Sequence, residues 1–200
     1  MQATEPSAEQ LAAQAAAGCS ASFERLVETL GPRLLRFLHR RLGDRHAAED
    51  VLQETFLKVH RNFHRYDPSR KFATWLFTIA ARLAASHCRR RRRVVSIEDV
   101  DLPNDAGPGP AEIAAAREAH AGIWAVAASA LSAEQFTVLW LRTVEEMTVR
   151  ETAKVMGKTA VGVKVLLHRA RRRLMDRCRV GEPGAAAETP RPVRGAVEIR

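Results

Sequence analysis

The sequence predicts an all-α protein of two small helical domains joined by a flexible acidic linker. Three observations carry that expectation. Apolar residues recur at the period of a buried helix face across 21–93 and again across 112–178. Between those blocks, VVSIEDVDLPNDAGPGPAE holds Glu98, Asp99, Asp101 and Asp105 beside a Pro108-Gly109-Pro110 cluster, a composition that no regular element survives. Almost nothing alternates at the two-residue period of a strand.

Taken in order, residues 1–20 are Ala-rich with few core-forming side chains, and read as a flexible N-terminus holding at best a frayed helix. The first domain, 21–93, contains AAEDVLQETFLKVH, in which Ala48, Val51, Leu52, Thr55, Phe56 and Val59 fall on one core stripe. The opposite face presents Glu49, Asp50, Gln53 and Glu54 around an outward Leu57. An acidic patch with an apolar centre, on a basic protein, suits either a protein partner or an ordinary solvated surface. A second helix, FATWLFTIAARLAASHCRRRRR, has its core stripe at Phe72, Trp75, Leu76, Ile79, Ala80 and Leu83, and ends on Arg89 through Arg93. One or two bases there suit the helix dipole. Five in a row exceed what capping requires, and point to phosphate contacts. The intervening loop RNFHRYDPSRK sets Phe63, His64 and Tyr66 among basic residues. Such aromatics either stack on unpaired bases or pack down as helix-end core, with Phe63 and Tyr66 open to both readings.

After the linker, 94–111, the domain at 112–178 carries VRETAKVMGKTAVGVKVL. Ala153 is small where two crossing helices must touch. Gly157 sits where the turn needs a positive φ. Val163 and Leu166, continued by Leu167, Ala170 and Leu174, supply the inner stripe of the next helix. That is the spacing of a helix-turn-helix, whose second helix lies in the major groove with Thr159 as N-cap and Arg169, Arg171, Arg172 and Arg173 toward phosphates. An ordinary helical hairpin is the alternative. The tail, 179–200, is rich in Gly, Pro and Ala and reads as disordered.

Composition narrows the function. Of 200 residues, 32 are Lys or Arg and 23 Asp or Glu, giving a net charge of +9 suited to a polyanionic partner. No apolar run approaches the roughly 20 residues of a membrane span, and the polar, acidic opening MQATEPSAEQ is unlike a secretion signal. Cys19, Cys88 and Cys178 form no CxxC pair, so the expected setting is a reducing cytoplasm. His60 and His64 lack further ligands, and no Gly-rich phosphate loop or nucleophile elbow is present. No metal, cofactor or enzymatic activity is expected.

The strings AEDVLQETFLKV, YDPSRKFATWLFTIA and RRRRR resemble region 2 of the extracytoplasmic-function (ECF, group 4) sigma factors of bacterial RNA polymerase. LSAEQFTVLWLR and ETAKVMGKTAVGVKVLLHRARRRL resemble their region 4, in the same order. The resemblance implies that Glu49, Asp50, Gln53, Glu54 and Leu57 dock on the clamp coiled-coil of the largest polymerase subunit. It implies that Asn62, His64, Arg65, Tyr66, Arg82, Ser86, His87, Arg89 and Arg90 serve the melted −10 element. Lys158, Thr159, Ala160, Lys164, Val165, His168, Arg169 and Arg172 would serve the −35 element. The polymerase flap and an anti-sigma factor are further implied partners, with no membrane insertion. The acidic linker would thread the RNA channel as a nucleic-acid mimic, or simply aid solubility. Arg82 and Ser86 stand where the family usually has Asn and Asp, and Val165 where Ser is common, so promoter preference is affected. The chain ends soon after region 4, without the extension domains of some ECF groups. The competing readings are a stand-alone helix-turn-helix regulator with an N-terminal interaction domain, and a helical interaction protein with no DNA role.

Overall fold

In a computed structural model, the described residues are 6–95 and 114–180. Most of the linker 94–111 and of the tail 179–200 therefore lies outside them, as do the side chains of Arg92 and Arg93. The elements run α1 (Ala8–Ala16), α2 (Ser20–Leu42), α3 (Arg45–Arg61), a 3-10 turn (Phe63–Arg65), α4 (Phe72–Val95), α5 (Ala114–Ala130), α6 (Ala133–Thr143), α7 (Val149–Met156) and α8 (Ala160–Val180). No strand occurs among the described residues.

The first domain is a bundle of α2, α3 and α4 with α1 laid against it. Gly43, at φ 70°, ends α2, and Asp44 immediately caps α3 by accepting from the Ala47 N–H at 3.0 Å. That cap holds the Asp44 carboxyl below its usual pKa, chiefly through the same hydrogen bond. Two adjacent residues thus make a tight αα corner, which fixes the direction in which α3 shows its outer face.

The expectation of a flexible N-terminus over 1–20 needs correcting for its described part, residues 6–20; residues 1–5 lie outside it. α1 has a full capping box, with Ser7 and Gln10 exchanging hydrogen bonds, and buries Leu11 and Ala12. Glu9 accepts from the Phe72 N–H at 3.2 Å, so this helix satisfies an orphan donor at the start of α4. Few large apolar residues are needed, because alanine lets helices approach closely.

α4 is also more deeply set than one stripe predicts. Besides Phe72, Leu76, Ala80 and Leu83, it buries Thr74, Phe77, Ala81 and Ala84. It packs against α2 and α3 on one side and α7 on the other, and so joins the two domains. In the second domain α8 packs on α5, α6 and α7, with Val138, Leu141 and Val163 fully buried between them. Trp124, Phe136 and Trp140 cluster there, with Trp124 and Trp140 centroids 4.7 Å apart.

Candidate nucleic-acid and polymerase interfaces

The helix-turn-helix forms from three local constraints. Thr148 and Glu151 make a capping box that starts α7. Gly157 adopts φ 62°, and the Lys158 N–H returns to the Ala153 carbonyl at 2.9 Å to close the turn. A Cβ at Gly157 would meet no atom within 4 Å, so glycine is required for its dihedral and not for space. Thr159 then accepts from the Gly162 N–H at 3.1 Å and opens α8. Val163 and Ala170 are fully buried, with Leu166, Leu167 and Leu174 half-buried beside them, as the spacing predicts.

Ala160, Lys164, Val165, His168, Arg169 and Arg172 are exposed on the outer side of α8. Lys158 differs from that group: it is half-buried and pairs with Glu134 at 2.8 Å. Its charge is partly spent inside the domain. One residue missed by sequence reasoning is Val161, 70% exposed in the first turn of α8. The signal was available, since it precedes Val165 by four positions and therefore shares its face.

On α3, Asp50, Gln53 and Glu54 are exposed, Glu49 is half-exposed, and Leu57 stands 49% open at their centre. The patch is less acidic than its composition suggests. Glu49 is held by Arg45 at 2.9 Å and Glu54 by Lys58 at 3.0 Å, each one turn away on the same helix. The Arg45 hydrogen bond lowers the Glu49 pKa. Asp50, Gln53 and Leu57 are the groups this face offers outward.

The loop before α4 decides the question left open for Phe63 and Tyr66. Both are core. Phe63 stacks on Phe72 with centroids 5.9 Å apart, and Tyr66 lies edge-on to Phe72 at 5.3 Å, with Phe23 and Trp75 completing the cluster. The Tyr66 hydroxyl donates to the Arg70 carbonyl at 2.7 Å. Burial, reinforced by Glu9 and Asp67, pushes its pKa up to about 12. Tyr66 is therefore corrected from a base-contacting residue to a core residue, because burying its ring against Phe63, Phe72 and Trp75 outweighs display. His64 and Arg65 remain exposed, and Asn62 is turned back to donate to the Lys58 carbonyl. Along α4, Arg82, Arg89, Arg90 and Arg91 are exposed, and Ser86 and His87 half-buried.

Contacts between the domains involve this same side. Lys71, ending the loop, pairs with Glu151 of α7 at 3.0 Å. Burial raises the Glu151 pKa, but hydrogen bonds from Thr148 and Lys71 outweigh it and leave a net lowering. Arg33 meets Glu145 at 2.7 Å, and that buried carboxylate also accepts from Trp140 Nε1 at 3.2 Å. Arg41 donates to Thr137 Oγ1 at 2.7 Å across the Phe37 ring, while its Nε is buried without a partner. Burial lowers its pKa. Arg82 lines a cavity of about 150 Å³ with Arg41, Glu134 and Met156, so part of the α4 face looks into the domain boundary.

The chain matches the family models for Sigma-70 region 2 over residues 26–94 and Sigma-70, region 4 over residues 124–174. It is 32% identical to the ECF RNA polymerase sigma factor BldN of Streptomyces coelicolor over 169 residues, 82% of this chain and 63% of that protein. It is 42% identical to the RNA polymerase sigma factor CarQ of Myxococcus xanthus over 94 residues, 46% of this chain and 54% of that protein. The chain thus spans less than two thirds of the length of either. Against the ECF RNA polymerase sigma factor SigM of Bacillus subtilis it is 32% identical over 142 residues, 70% of this chain and 84% of SigM. Two solved structures share the fold at 23% identity. CnrH, in complex with the cytosolic domain of CnrY, gives a TM-score of 0.66 over 88% of this chain and 100% of its own. The sigma factor RpoE of Bartonella quintana, in complex with the anti-sigma factor NepR, gives 0.68 over 80% and 98%. With both region models matched in order and SigM aligned over most of its length, the chain belongs to the ECF family of RNA polymerase sigma factors.

Proposed function

We propose that this chain directs core RNA polymerase to particular promoters and assists their melting. Core enzyme performs the chemistry; the chain supplies recognition and is not itself an enzyme. The observation that carries this reading is the order of two modules in one basic chain, an α3 face centred on Leu57 followed by a capped helix-turn-helix. Asp50, Gln53 and Leu57 dock on the polymerase clamp. His64, Arg65 and Arg89–Arg91 hold the melted −10 strand, where flipping a base costs a few kcal/mol that pocket and phosphate contacts repay. α8 enters the major groove at −35, with Lys164 and His168 toward base edges and Arg169 and Arg172 toward phosphates.

The domain contacts add a conformational requirement. The −10 and −35 elements lie ~25 base pairs apart, about 85 Å at 3.4 Å per pair. Lys71 and Glu151 touch at 3.0 Å, so the two domains must separate before both elements can be engaged. A stand-alone regulator with an N-terminal interaction domain would also use α8 and the Leu57 face, but the match to Sigma-70 regions 2 and 4 in order favours the sigma-factor reading.

The anti-sigma factor NepR, named with the structural relative RpoE, supports an anti-sigma factor here as well, covering the clamp-docking face, the DNA-facing surfaces or both. No helix among the described residues is long and apolar enough to cross a membrane, and the three cysteines are free, which fits action in the cytoplasm. The test is permanganate reactivity of promoter thymines with holoenzyme. Wild-type holoenzyme should expose the −10 thymines, and alanines at Arg89, Arg90 and Arg91 should weaken melting on every promoter while lowering its salt dependence by about one unit per lost phosphate contact. Unaltered melting by that variant would remove α4 from the −10 site.

A further inference from the structure

Among the described side chains of α8, one valine is buried and two are displayed. Val163 is fully buried, whereas Val161 is 70% and Val165 43% exposed. The exposed pair sits at i, i+4, so both point along one face, about 6 Å apart along the helix axis at 1.5 Å per residue. Valine is a poor helix former, and burial in the free chain repays little of that at Val161 and only part of it at Val165. Its side chain is also held to one χ1 rotamer in a helix, which makes it a rigid probe. Around the pair stand Lys164, His168, Arg169 and Arg172, all exposed, a setting that suits a polyanion better than an apolar peptide. The apolar group that a major groove offers to such a probe is the C5-methyl of thymine.

We propose that Val161 and Val165 read thymine methyl groups in the −35 element. This rests on the placement of α8 in the major groove given above. Two thymines, on either strand, then lie within about two base-pair steps of each other, since 6 Å of helix spans nearly two 3.4 Å steps. They flank the base pair addressed by Lys164, which lies between the two valines in sequence and donates to guanine. Val165 thereby acquires a role opposite to that of a serine at the same place, rejecting a polar contact and accepting a methyl.

The experiment uses full-length chain with core polymerase. Promoters are first selected by the holoenzyme from DNA randomised at −35, and each selected thymine is then replaced by deoxyuridine, which lacks only the methyl group. Wild-type holoenzyme should lose occupancy about fourfold at each of two thymines, the effect of one methyl group left unburied. Val161→Ala and Val165→Ala, which raise helix propensity, should each bind the thymine and deoxyuridine promoters equally at one of the two positions. Selection of −35 sequences without thymines would overturn the proposal. So would equal binding of both DNAs by wild type, or a full deoxyuridine penalty retained by both variants. If the variants weakened binding to core enzyme in the absence of DNA, the face would belong to a protein partner and the proposal would fall. Were scrambling the whole −35 element without effect on wild type, the groove placement of α8 itself would fail, a result distinct from losing the methyl contacts alone.

Discussion

Arg33→Ala removes one side of an ion pair that bridges the two domains. The Glu145 carboxylate it leaves behind is 1% exposed and keeps only the Trp140 indole N–H at 3.2 Å, whereas Arg33 itself is 43% exposed. An exposed pair contributes about 0–1 kcal/mol, and breaking a buried one costs about 3–5 kcal/mol. With one partner buried and the other half in water, about 2 kcal/mol is expected, or roughly a 30-fold shift from the closed toward the open arrangement. Cys19 in the first domain and Cys178 near the end of α8 are exposed, and both can carry dyes once Cys88→Ser removes the third thiol. Energy transfer between them, followed in rising urea, should show the domains parting at lower denaturant in Arg33→Ala than in wild type, ahead of loss of helical circular dichroism. The exposed neighbour Arg36 serves as control. Identical opening curves for wild type and Arg33→Ala, or equal shifts for Arg33→Ala and Arg36→Ala, would show that the Arg33–Glu145 pair does not hold the domains together.

Three further outcomes follow from the same geometry. Asp50→Lys combined with Leu57→Ala should abolish binding to core polymerase, a loss of about 2 kcal/mol or more, with native circular dichroism; anisotropy against labelled core measures it. Tyr66 is the chain's single tyrosine, so tyrosinate absorbance should rise with a midpoint near 12 in the folded protein and near 10 when unfolded. Because the folded value is the higher one, that contribution to stability is complete below pH 10 and disappears as pH rises toward 12. Lys164→Ala should relax preference at one −35 base pair, while Arg172→Ala should weaken all sequences alike, as read by selection on randomised duplexes.

How far the sequence could be read depended on the range of the interaction. Ala153, Gly157 and Val163 answer to constraints within one turn and two helices, and their spacing revealed them. The pairs Arg45–Glu49 and Glu54–Lys58 were equally local, and temper an acidic face that composition alone exaggerates. Phe63 and Tyr66 could not be resolved the same way, because base stacking and core packing require the same residues. Their rings are claimed by Phe23 of α2 and by Phe72 and Trp75 of α4, brought in by two other helices. α1 was underestimated for a related reason. Its alanines promise little burial until α2 lies against them, and Glu9 finds its partner 63 residues away at Phe72. The Arg33–Glu145 pair spans 112 positions, and nothing in either segment announces the other.

Whether this chain confers promoter recognition on polymerase is tested most directly by transcription from a selected promoter with core enzyme alone, the chain alone and the two together. A discrete transcript and a melted −10 region are expected only when both are present, with poor binding of the promoter by the chain by itself. A chain that footprinted that DNA strongly on its own, and left core enzyme unable to start at a defined site, would contradict it.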